Sequence, residues 1–132
     1  MEGKGERMGL GKRRDDYEET IYVGPAVAEH GEMLDGEAVT VLLKEGYGPL
    51  LDVLVEALDE AQIGKGKERH ATDKPFTQQP IMTIQGLVGR GYALGQAIKK
   101  TQESQRLGDD AAKRELLGAI NYLAAAVLSY DD

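Results

Sequence analysis

The stretch at about residues 110–129, ending in AAKRELLGAINYLAAAVLS, constrains this chain more than any other. Leu116, Leu117, Ile120, Leu123, Ala124 and Val127 recur at the three-and-four spacing of one helix face, the most apolar stripe in the chain. Gly118, Ala119, Ala124, Ala125 and Ala126 are small, so another helix can lie close against it. The stripe therefore reads as a seam between subunits. Asn121 interrupts it with an amide, which on such a helix either satisfies an inter-helix hydrogen bond or reaches a ligand at a subunit interface.

Upstream, glycine and proline punctuate three further helical segments. Gly48-Pro49 places proline at a first helical position, where its missing N–H costs nothing, and Leu50, Leu51, Leu54, Ala57, Leu58 and Ala61 follow in register up to Gly64. Pro80 opens a segment with Ile81, Ile84, Leu87 and Val88 on one side. Gly86, Gly89, Gly91 and Gly95 then predict either a break near Gly89–Gly91 or a continuous helix with a smooth glycine face. From about Tyr92 to Arg106 a helix carries Leu94, Ala97 and Ile98 inward, with Lys99, Lys100, Glu103 and Arg106 outward. Gly108 ends it, and Asp109 caps the last helix.

The N-terminal third is less decided. Residues 1–16 are rich in glycine and charge and read as a disordered basic tail, leaving 17–132 as a single helical domain. Thr20–Val23 has strand character and is broken by Gly24-Pro25. Glu37–Leu43 either pairs with it as a short β-hairpin or forms a helix capped by Asp35 and closed by Gly46, and the balance favours the helix. The expected fold is thus mainly α, a small helical domain with two long C-terminal helices, open to one N-terminal hairpin and assembled as a homo-oligomer.

Charge is unevenly spread. The chain has a net charge of −7, but residues 1–60 carry six Lys/Arg against fifteen Asp/Glu, whereas residues 61–132 carry ten against eight. A continuous cationic footprint for duplex nucleic acid is missing. No apolar run approaches the ~20 residues that span a bilayer, so no membrane partner is expected. With no cysteine there is no disulfide frame or thiolate zinc site, which fits a cytoplasmic location.

Against this acidic background, Gly64–Pro80 (GKGKERHATDKPFTQQP) is cationic. Lys65, Lys67, Arg69 and His70 suit phosphate, Phe76 offers a stacking face and Gln79 an amide. It is not a Walker loop, since GKGKER lacks that spacing. A solvated connection would also be charged, yet the mixture of guanidinium, aromatic ring and amide suits a small nucleotide-like anion. Arg90, Tyr92, Gln96 and Lys99 in RGYALGQAIKK, with Asn121, complete the candidate ligand set.

No catalytic set emerges, and no metal ligand or cofactor is expected. Glu56 and Asp59 resemble half of the paired acids with which all-helical nucleotide pyrophosphohydrolases hold magnesium, but the second pair is missing. His30 and His70 are the only histidines, and Ser104 and Ser129 sit in no nucleophile elbow. A magnesium-dependent hydrolase and a protein–protein interaction module remain the alternatives to a binding protein.

The succession KGKERH, PFTQQP, GYALGQAIKK and ELLGAINYLAAA, over roughly residues 48–128, resembles small proteins encoded by phages and prophages. Among these are immune-signal sponges of the Thoeris anti-defence and anti-CBASS type. The resemblance implies a small oligomer, acting in the cytoplasm of an infected bacterium, that sequesters a cyclic nucleotide or cyclic ADP-ribose type signal without cleaving it. It further implies that Arg69, Phe76 and Arg90 hold the phosphates and the base.

Overall fold

The structure, a computed structural model, describes residues 19–23, 38–63 and 74–131. These described residues are mainly helical and form four α-helices and one two-stranded sheet. The chain divides into two compact units, Met1–Asp52 and Val53–Asp132. The expected tail at 1–16 lies outside the described residues.

In the first unit, β1 (Glu19–Val23) pairs antiparallel with β2 (Val39–Leu43), with Ile21 opposite Val41 and Val23 opposite Val39. The hairpin alternative is correct, and the favoured helix over Glu37–Leu43 is not. Val39, Thr40 and Val41 are consecutive β-branched residues, which lose side-chain freedom in a helix and fit a pleated strand. A partner strand of the same character supplies the ladder that a capping Asp35 cannot outweigh. The signal at Gly46 marks a turn after a strand instead of a helix end. Its φ is +88°, and Tyr47 N–H donates to Lys44 O across the turn at 3.3 Å. Helix α1 (Gly48–Gln62) begins there and runs on into the second unit.

The second unit adds a 3₁₀ turn at Phe76–Gln78, then α2 (Pro80–Val88), α3 (Gly91–Ser104), α4 (Asp109–Leu128) and a closing 3₁₀ turn at Ser129–Asp131. Pro80 occupies the first turn of α2, as expected. Of the two glycine readings the break is realised: Gly89 takes φ +99° and separates α2 from α3. The N-cap of α4 is Gly108 and not Asp109. Asp109 and Asp110 fall in the first helical turn, where carboxylates complement the positive end of the helix dipole.

α3 and α4 make the broadest helix contact. The core is built mainly of alanine, with Ile81, Ala93, Ala125 and Ala126 buried and Phe76, Met82, Tyr92 and Tyr122 packed around them. Ala97 faces inward as expected, but Leu94 and Ile98 are exposed. So are Leu116, Leu123 and Val127. Alanines at the contact let the helix axes approach, and a leucine there would hold them apart. Gln85 is buried in the same layer and its Nε2 donates to Ala125 O at 2.9 Å, joining α2 to α4, while its Oε1 has no hydrogen-bond partner. Among the described residues no helix is long and apolar enough to cross a membrane.

Candidate functional site

A cavity of about 280 Å³ opens in the second unit, between the end of α1, the 3₁₀ turn and the facing parts of α3 and α4. Its wall follows from the periodicity of α4. Ala111, Arg114, Glu115, Gly118, Asn121 and Tyr122 are spaced by three, one, three, three and one, so they share one side of the helix and all line the cavity. Glu60 and Ala61 come from α1, Phe76 and Gln79 from the turn before α2, and Lys100 from α3.

Lys100 is the best placed of these groups. Gly118 has no side chain, and the Lys100 stem fills that gap: a Cβ on Gly118 would meet Lys100 Cδ at 3.1 Å. So routed, the ammonium lies 3.7 Å from Glu115 Oε2 and 5.9 Å from the centre of the Tyr122 ring. Tyr122 is backed edge-on by Tyr92, with ring centres 6.0 Å apart, which holds the ring against the core. Asn121 Nδ2 donates to Ala57 O at 2.9 Å and ties α4 to α1 at the cavity wall. Gln79 Nε2 donates to Lys74 O at 3.0 Å and fixes the approach to α2.

The cavity thus brings together Phe76, Gln79 and Asn121 of the expected ligand set. Lys65, Lys67, Arg69 and His70 lie outside the described residues. Arg90 and Tyr92 are placed elsewhere. Arg90 Nε donates to Ser129 Oγ at 2.6 Å, and its guanidinium lies 3.5 Å from the centre of the Tyr130 ring, so it fastens the α2–α3 corner to the end of α4. Tyr92 packs on the core behind Tyr122. Gln96 is half-buried and Lys99 exposed, and neither lines the cavity. Lys100, next to Lys99, does. Arg114, Glu115 and Tyr122 were not in the expected set. Their signal in the sequence is the polar side of the last helix, which its leucine stripe outweighs.

Glu56 and Asp59 sit together on α1. Burial, and then the neighbouring Glu56 carboxylate, hold the Asp59 carboxyl above its usual range. Among the described residues no three acids or histidines converge as a cation site.

Comparison with protein families, with curated proteins and with solved structures finds no match for this chain.

Proposed function

We propose that the α3–α4 cavity binds a small nucleotide-like molecule and retains it without turnover. One observation carries this reading. Two cations, Lys100 and Arg114, and two aromatic rings, Phe76 and Tyr122, line a single cavity with two side-chain amides and two carboxylates. Phosphate suits the cations. A base suits the rings, and its exocyclic amine suits a carboxylate such as Glu60 or Glu115. A simple anion would leave the carboxylates opposed to it, whereas a nucleotide presents acceptors and donors at separate ends.

The volume of about 280 Å³ lies just below the ~300–1,000 Å³ usual for small-molecule sites, which suits one base with one phosphate. Retention without cleavage would remove a signal from circulation, the role that the resemblance to phage sponges implies.

The test is titration calorimetry of the full chain against linear and cyclic mono- and dinucleotides and cyclic ADP-ribose. The recovered ligand is then analysed by mass. Micromolar or tighter binding, intact recovery, and a loss of about tenfold or more in Arg114→Ala or Lys100→Ala, some 1.4 kcal/mol, would support the reading. No binding by any of them would end it, and conversion to product would replace it with the hydrolase alternative.

A further inference from the structure

The side of α4 opposite the cavity is apolar and open. Leu116, Leu123 and Val127 are 41%, 47% and 66% exposed, and Ile120 lies between them. Their spacing of four, three and four residues is that of a coiled-coil seam, so the four form one straight row along the helix. Lys113 continues the row at one end and the exposed Tyr130 at the other. The unit behind this row has a poor core: no large side chain in the described residues is fully buried. A domain of this size with an alanine core leaves much apolar surface uncovered.

We infer that this row is the interface of a homodimer in which α4 packs antiparallel against α4 of a second copy. Antiparallel pairing about a two-fold axis between positions 121 and 122 sets Leu116 against Val127 of the second copy. Ile120 then meets Leu123, and Lys113 meets the Tyr130–Asp131 turn. Every apolar position has an apolar partner and Lys113 comes opposite Asp131, so the surface is self-complementary, as a two-fold contact requires. Parallel pairing instead sets Lys113 against Lys113 and Asp131 against Asp131, and aligns the helix dipoles unfavourably.

Lys113 and Tyr130 at the two ends widen the contact beyond its four apolar side chains, toward the ~1,000 Å² total of a specific interface. Because Arg114, Gly118, Asn121 and Tyr122 face the other way, both cavities stay open in the dimer. The inference does not depend on what those cavities bind.

The experiment is sedimentation equilibrium of the full chain and of Leu123→Glu, with helicity followed by circular dichroism. A dimer for the parent chain and a helical monomer for Leu123→Glu are expected, the dissociation constant rising by at least ~100-fold. Orientation is read by cysteine cross-linking, which the absence of native cysteine makes clean. Oxidation of an equimolar mixture of Ile120→Cys and Leu123→Cys chains should give the mixed disulfide in preference to either symmetric one. This arm also decides the matter if Leu123→Glu fails to fold. A monomeric parent chain, a helical Leu123→Glu that still dimerises, or preferred symmetric cross-links would each overturn the inference.

Discussion

The two sides of α4 are built on opposite rules. Toward α3 and the cavity the helix presents alanine, glycine and polar groups, and these are the residues that pack. Toward solvent it presents leucine and valine, and these are the residues left uncovered. Hydrophobicity alone ranks the two sides the wrong way round. Close approach of helix axes is set by side-chain size, and a side chain with nothing opposite it gains little however apolar it is.

Exchanging the two rules by substitution should have the largest effect. Ala125→Leu puts a large side chain into a fully buried position, and urea unfolding should show a loss of about 3 kcal/mol. Leu123→Ala on the open side should shift stability by less than ~0.5 kcal/mol, provided the measurement is made at a dilution where the chain is monomeric. Equal costs for the two would mean that the sides do not differ as described.

Asn121→Ala removes the hydrogen bond to Ala57 O and should lower stability by about 1 kcal/mol. The same substitution should raise hydrogen exchange in the C-terminal turns of α1 more than in α3, because the lost tie is local to α1 and α4.

Gly118→Ala separates packing from binding. The added methyl group favours the helix by up to ~1 kcal/mol, but it displaces the Lys100 stem from its gap. The midpoint of thermal unfolding should rise while nucleotide affinity falls several-fold. A rise in both would show that Lys100 is not the group that holds the phosphate.

The smallest effect concerns Asp59. Its carboxyl is held above the usual range near 3.8 by burial and by Glu56, so the folded state takes up a proton more readily than the unfolded state. Its contribution to stability is therefore complete below the ordinary carboxylate range and is lost as pH rises through the raised value. Asp59→Asn should stabilise slightly at neutral pH and flatten the pH dependence in that window, as followed by unfolding between pH 3 and pH 7, about the range over which carboxylates titrate.

Much of the helical layout was legible in the sequence, because Pro49, Pro80 and Gly108 act locally and their effects do not depend on the rest of the chain. The strand at Val39–Leu43 was not, since a strand is decided by a partner some twenty positions away and a helix start by its neighbours. The cavity was half legible. Phe76, Gln79 and Asn121 stood out as unusual residues in their segments. Arg114, Glu115 and Tyr122 did not, since they look like the ordinary wet side of an amphipathic helix until α3 is seen to cross there. Lys100 depended on Gly118, eighteen positions later, and no local pattern connects the two.

The corner between α2 and α3 has a consequence of another kind. At Gly89 the backbone is left-handed, yet a Cβ built there would meet nothing within 4 Å. The position excludes an L-residue by its handedness and not by its volume. A D-alanine introduced at 89 by chemical synthesis should sit there without strain and stiffen the corner. The mirror-image L-alanine, identical in size and polarity, should strain it. There the chain discriminates between enantiomers and is indifferent to bulk.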